Sequence, residues 1–224
     1  MSRIVVVGGG GRTGLLVVKA LLAAKHAVVA TIRSPKQMAG LVKLGAEVLM
    51  LDLEKSTFDA WVMALKGADG LVFAAGSATG ESSALDRKGT LRTLRAAEKA
   101  GVKRYVSIAS IGASTGMKLI GEWATPEMVD YYKQKRAANK AIAASGLDWT
   151  IVEPGELTDG KGSGKVTLSQ ADIPLKRVSR ADVAAVVTAV LGEPKSIGKA
   201  LQLTAGDMAI ADALRAALRA RPGK

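Results

Sequence analysis

The 224-residue chain has no cysteine and only one histidine, His26. Disulfides, thiolate nucleophiles, Cys-based metal centres and histidine clusters are thereby excluded. Any redox chemistry would have to be carried by a bound organic group. Aromatic residues make up only 4% of the chain, with no helix-turn-helix, zinc-finger or RNA-binding aromatic pattern, so nucleic acid is not an expected partner. Long hydrophobic runs are also missing. The longest, residues 183–191, is interrupted by Thr188 and is far too short to span a bilayer. The N-terminus runs into glycines instead of a signal-peptide core. A cytoplasmic protein with no membrane partner is expected, as a monomer or a homodimer. Acidic residues are in deficit, 20 against 32 Lys and Arg, for a net charge of +12. That excess favours an anionic ligand, although a solvated basic surface would look the same.

Glycine is plentiful, and its placement is informative. Ile4-Val5-Val6-Val7 is a β-branched run of the kind buried on both faces of a parallel sheet. It breaks into Gly8-Gly9-Gly10-Gly11-Arg12-Thr13-Gly14 and then into an apolar helical pattern. Strand, glycine turn and helix in that order form a phosphate cradle, with free N–H groups and the helix dipole directed at a pyrophosphate. Gly9/Gly11/Gly14 and Gly8/Gly11/Gly14 both fit, and both predict a dinucleotide. The next strand, 27–32, ends in Arg33-Ser34-Pro35-Lys36. A fold preferring NAD usually has an acid here for the ribose 2′-hydroxyl. Arg33, with Ser34 and Lys36, suits a 2′-phosphate instead, so NADP(H) is expected with NAD(H) as the weaker option. A surface arginine at a helix entrance is the plainer reading.

Further strands are expected at 47–53, 71–74, 103–108, 148–152, 166–168 and 200–204. Helices are expected at 15–24, 35–44, 57–65, 83–100, from Thr125 onward, 179–191 and 207–219. Asp52 and Leu53, at a strand end, would face the adenine, although Asp52 could equally cap the following turn. Small residues at Ala75-Gly76-Ser77 let a cofactor pass close above the sheet, where its nicotinamide half would begin. Arg87, Lys88, Arg92 and Arg95 form a stripe read as solvated. Residues 113–124 contain no clear element, and Trp123 within them either lines a pocket or packs the loop.

Tyr131 and Lys135 are four apart on one helix and share a face. An ammonium beside a phenol stabilises the phenolate, which makes Tyr131 a candidate proton donor to a carbonyl oxygen. Ser110, at the end of the 103–108 strand, would add a second hydrogen bond to that oxygen. With Lys133 and Arg136 alongside, a basic solvated helix is the competing reading.

Together with the glycine turn and Arg33, these residues, the segment Ser145-Gly146-Leu147-Asp148-Trp149-Thr150-Ile151-Val152-Glu153-Pro154-Gly155 and Val178-Ser179-Arg180-Ala181-Asp182-Val183-Ala184 resemble the atypical short-chain dehydrogenases/reductases. The nearest resemblance is to the NAD(P)H-binding group that includes NmrA-like proteins and biliverdin-IXβ/flavin reductases. It covers essentially the whole chain and implies one α/β Rossmann domain, doubly wound, with about seven parallel strands. A small substrate lobe would come from loops around 111–127 and 156–177. The resemblance further implies that Arg12 and Thr13 meet the pyrophosphate, Arg33 the 2′-phosphate, and Pro154 and Gly155 the nicotinamide. Its activity would be hydride transfer to a small unsaturated carbonyl, quinone, flavin or tetrapyrrole. The alternatives are a non-catalytic NADP(H) sensor and, third, a sugar-nucleotide epimerase or dehydratase, usually a longer chain. Two features depart from the pattern. Many relatives have arginine where this chain has Glu153, and many lack a tyrosine equivalent to Tyr131.

Overall fold

A computed structural model describes residues 1–76, 83–116 and 124–220. Its strands are β1 (Arg3–Val7), β2 (Ala27–Ile32), β3 (Glu47–Met50), β4 (Gly70–Phe73), β5 (Arg104–Ile108), β6 (Asp148–Pro154), β7 (Glu156–Thr158), β8 (Lys165–Ser169), β9 (Arg177–Ser179), β10 (Lys199–Ala205) and β11 (Met208–Ala209). Its helices are α1 (Arg12–Ala23), α2 (Met38–Lys43), α3 (Phe58–Leu65), α4 (Ser83–Ala100), α5 (Pro126–Ala143), α6 (Arg180–Leu191) and α7 (Ile210–Arg219). Seven strands run parallel in the order β3-β2-β1-β4-β5-β6-β10. β8 joins β10 in antiparallel register, β11 joins β8 likewise, and β7 pairs with β9 as a separate parallel ribbon. The class is the expected Rossmann-like α/β fold, with two strands, β8 and β11, beyond the seven.

The β-branched pattern accounts for the layering. Along β1, Ile4 and Val6 face Val17 and Leu21 of α1 and Val183 and Val187 of α6. Val5 and Val7 face the other way, toward Trp61 of α3, Leu94 and Ala97 of α4 and Ile142 of α5. Successive side chains thus enter opposite cores, as period-two geometry demands of a strand covered on both sides. Trp61 is fully buried, and truncating it to alanine would cost about 3–5 kcal/mol.

Chain order positions the site. From β1 the chain winds outward through β2 and β3, then returns to place β4 on the other side of β1. That reversal opens a crevice at the carboxyl ends of β1 and β4, where doubly wound sheets bind ligands. Several helix starts carry side-chain caps. Thr57 Oγ1 accepts from Ala60 N–H (3.2 Å), Thr125 Oγ1 from Met128 N–H (3.3 Å) and Ser179 Oγ from Asp182 N–H (2.9 Å). Helix α1 starts at the crevice without one: Gly11 is its N-cap, and its first turn contains no acid.

Some expected elements change. The 35–44 helix begins as a 3₁₀ turn, Pro35–Gln37, before α2. β3 stops at Met50, leaving 51–53 as loop. β6 continues to Pro154, and β7, β9 and β11 were not expected. No helix among the described residues is long and apolar enough to cross a membrane.

Candidate active site

The glycine turn is built for close approach. Gly8 has a φ of +77°, and a Cβ there would lie 2.8 Å from the Ala75 Cα. A Cβ on Gly14 would overlap the Gly8 carbonyl oxygen, which also accepts the Gly11 N–H (2.9 Å). Gly8, Gly11 and Gly14 thus pack on one another within the turn, while Gly9 is required by contact with Ala30. Arg12 reaches Asp159 at 2.7 Å, and the same carboxylate takes Arg180 at 2.9 Å. Both members of the Arg12 pair are exposed, so it is worth no more than about 1 kcal/mol and yields readily to an anion. Thr13 is half-buried one residue further along α1.

A cavity of about 400 Å³ adjoins this turn, lined among others by Gly8, Gly10, Gly11, Arg33, Asp52, Leu53, Ala75, Gly76 and Asp86. Arg33, Asp52, Leu53, Ala75 and Gly76 are thus gathered at one crevice as the sequence indicated. Ser34 and Lys36 are not part of its lining; Gln37 is, and its Nε2 donates to the Gly10 carbonyl (2.8 Å). Asp52 does cap the following turn: its Oδ1 accepts from the N–H groups of Glu54 (2.8 Å) and Lys55 (3.1 Å). The Glu54 bond foremost, helped by Lys55 and Arg33, holds this carboxyl below its usual range. Arg92 does not belong to a solvated stripe. Its guanidinium donates to the carbonyls of Leu53 and Ser56, both at 2.8 Å, fastening the 53–56 loop to α4. Ser77 and Trp123 lie outside the described residues.

Asp86 carries the cavity into a second cluster. It pairs with Lys135 Nζ at 2.8 Å, both side chains being nearly inaccessible. Lys135 Nζ is also 5.5 Å from the Tyr131 ring centroid. Burial opposes the ammonium charge, but Tyr131 and Asp86 outweigh it and the Lys135 pKa lies above its ordinary value. The lysine is a fixed cation beside the β4 end of the crevice, 3.9 Å from where a Gly76 Cβ would stand.

Ser110 meets Tyr132 instead of Tyr131. Its Oγ donates to the Tyr132 hydroxyl at 3.3 Å, and the two tyrosine rings meet edge to face at 5.5 Å. Tyr131 therefore offers its ring to Lys135 while its neighbour holds the serine. Beyond them, Glu153 is fully buried on β6. Its Oε1 accepts from Ser114 N–H (2.7 Å) and Asn139 Nδ2 (2.8 Å). These bonds anchor the turn after β5 to β6. Pro154 accepts from Ile111 N–H (2.9 Å), completing the anchor. Gly155 has no room for a side chain, because a Cβ would overlap the Lys176 carbonyl. Burial above all pushes the Glu153 carboxyl up to about 7, with Asp172 adding repulsion and the Ser114 and Asn139 bonds opposing. Asp86, Tyr132 and Gln37 were missed in the sequence. The Tyr131-Tyr132 doublet was the available hint for Tyr132, since residue 132 is also one turn from 135.

A family described as NAD(P)H-binding matches residues 8–194. The chain belongs to that family. Its uncharacterized sugar epimerase relative YhfK from Bacillus subtilis (strain 168) is 36% identical over 194 residues, spanning 85% of this chain and 87% of the relative. Among solved structures, a candidate NAD-dependent epimerase/dehydratase from Bacillus halodurans superposes with a TM-score of 0.86 at 31% identity, covering 96% of this chain and all of that one. ChuY, an anaerobillin reductase from Escherichia coli O157:H7, superposes with a TM-score of 0.79 at 25% identity, covering 92% and 98%. These neighbours agree with the atypical short-chain dehydrogenase/reductase resemblance and with a nicotinamide cofactor. An NAD(P)H-binding protein accounts for the uncapped α1, the side-chain-free turn and the crevice beside it.

Proposed function

We propose that the protein is an NADPH-dependent reductase acting on a small unsaturated carbonyl, quinone, flavin or tetrapyrrole. The observation that carries this reading is continuity. Asp86 lines the cavity and pairs with Lys135, so groups suited to a dinucleotide run directly into groups suited to a reacting carbonyl. In this reading Gly8, Gly11, Arg12, Thr13 and Gly14 receive the pyrophosphate. Arg33 takes the 2′-phosphate, with Ser34 and Lys36 contributing charge and hydroxyl nearby. The remaining Asp52 oxygen and Leu53 meet the adenine, and Ala75, Gly76, Ser77, Pro154 and Gly155 frame the nicotinamide. When bound, the reduced nicotinamide supplies the hydride. Lys135 orients the ribose with Asp86, Tyr131 gives a proton to the acceptor, and Ser110 adds a hydrogen bond to the same oxygen. Loops around 111–127 and 156–177 would close the acceptor pocket. No nucleic acid or membrane enters this scheme, and a monomer or homodimer in the cytoplasm suffices.

The names carried by the two Bacillus proteins favour a second reading, a sugar-nucleotide epimerase. Their chains are of similar length to this one, which weakens the size argument against it. The test is consumption of NADPH and NADH by purified protein with quinone, flavin, tetrapyrrole and enone probes. Turnover that prefers NADPH, reduced in Tyr131→Phe at nearly constant NADPH affinity, is expected. Tight NADPH binding with no acceptor turned over would leave a sensor. Sugar-nucleotide interconversion without net loss of reduced cofactor would establish the epimerase.

A further inference from the structure

One carboxylate links the glycine turn to the loop beyond β7. Asp159 Oδ2 is 2.7 Å from Arg12 Nη2, and its Oδ1 is 2.9 Å from Arg180 Nη1. The two arginines are held differently. The Arg180 side chain is 14% exposed and also donates to the Leu157 carbonyl at 3.3 Å. That of Arg12 is 66% exposed, and its guanidinium makes no other hydrogen bond among the described residues. Asp159 therefore stays with Arg180 when Arg12 lets go. It also begins a stretch with fixed ends. On one side, Thr158 is in register with Ser179 in the β7–β9 ribbon. On the other, buried Asp182 at the start of α6 accepts from the N–H groups of Ser163 (3.0 Å) and Gly164 (2.8 Å), and a Cβ on Gly162 would press against its carboxylate at 2.7 Å. Between these anchors Asp159, Gly160 and Lys161 are exposed, and Gly160 has a φ of +137°, a setting that suits a hinge.

We propose that Asp159 is an internal competitor for the cofactor's pyrophosphate: it holds Arg12 until the diphosphate displaces it, and so sets NADPH affinity and the placement of residues 159–161. The proposal rests on the cofactor reading of Arg12 given above. Arg12 is the first residue of α1, whose N-cap Gly11 offers no side-chain oxygen and whose first turn has no acid. Asp159 is thus the anion that the fold pairs with this end of the helix, through the Arg12 side chain. It takes two guanidinium groups and no N–H of α1 among the described residues. A diphosphate has charge and oxygens enough to take Arg12 and the free helix N–H groups together, so it prevails in the exchange. The contact it displaces is exposed on both sides and weak. Asp159 then remains with Arg180, and the 159–161 stretch loses its tie to α1. Cofactor binding thereby reaches the lobe that the reductase reading places over the acceptor.

The test is calorimetric titration of NADPH into the full chain as wild type, Asp159→Asn, Arg12→Gln and the double variant. Asp159→Asn should raise NADPH affinity about 2- to 5-fold at low salt, the worth of one exposed ion pair, and added salt should shrink the gain. In the Arg12→Gln background the same substitution should leave affinity unchanged, because no guanidinium remains to be contested. A carboxylate that only repelled the phosphates through space would give the gain in both backgrounds. The chain has no cysteine, so a nitroxide on Lys161→Cys labels this stretch alone. Its paramagnetic resonance spectrum should sharpen when NADPH is added to the otherwise wild-type chain, and should be sharp beforehand with Asp159→Asn. Affinity unchanged or lowered by Asp159→Asn, a gain that persists without Arg12, or a label that NADPH leaves unmoved would overturn the proposal alone. Wild-type affinity in Arg12→Gln, or no NADPH binding by the wild type, would overturn the cofactor reading of Arg12 and this inference with it.

Discussion

Replacing Glu153 with glutamine should stabilise the protein in a manner that depends on pH, because the native fold holds this carboxyl in a place that resists its charge. The residue is fully buried, and its pKa rises from 4.5 to about 7. At about 1.4 kcal/mol per unit, charging it in the fold costs on the order of 3 kcal/mol relative to the unfolded chain. Below pH 4.5 the group is protonated in both states. As pH rises from there to about 7, the unfolded chain releases the proton while the native state keeps it. The native state then binds more protons than the unfolded one, so this group lowers stability across that window, and the loss is complete above it. Denaturant unfolding of wild type and Glu153→Gln between pH 4.5 and pH 8 isolates the effect, since other titrations cancel in the difference. The variant should gain about 3 kcal/mol on the wild type over this range. A difference that does not vary with pH would refute the reasoning.

Arg33→Asp should lower NADPH affinity about 10- to 100-fold by removing a charge-assisted bond, and should reverse the preference between NADPH and NADH in calorimetric titrations. Lys135→Met should destabilise by about 3–5 kcal/mol in urea melts, because it leaves Asp86 buried without its cation. The double variant Lys135→Met/Asp86→Leu should recover much of that loss. Gly8→Ala combines a φ of +77° with a Cβ pressed against Ala75; it should cost at least about 1–3 kcal/mol in thermal melts and abolish NADPH binding.

Much of the fold was legible because its signals are local. The β-branched run of β1, the glycines after it and the Thr125-Pro126 helix start each declare themselves within a few residues, and the structure places all three as read. Residues assigned to the ends of β1, β3 and β4 did converge on one crevice. What escaped depends on tertiary distance or on phase. Arg92 looked solvated by its spacing alone, yet it reaches across to the 53–56 loop. Asp86 meets Lys135 only because α4 and α5 pack side by side. Tyr131 and Tyr132 are adjacent, so which one faces Ser110 is set by the rotation of α5 against β5. Ribbon strands of three residues, such as β7 and β9, are too short to display a period.

The most direct test of the central claim is transfer of a label. Wild-type protein is mixed with NADPH carrying deuterium on the transferable C4 position and with an enone acceptor, and the product is analysed by mass spectrometry. The account predicts one deuterium bound to carbon in the reduced product, with loss of an equivalent amount of NADPH. Bound NADPH that is never consumed, or a product reduced without the label, would contradict it.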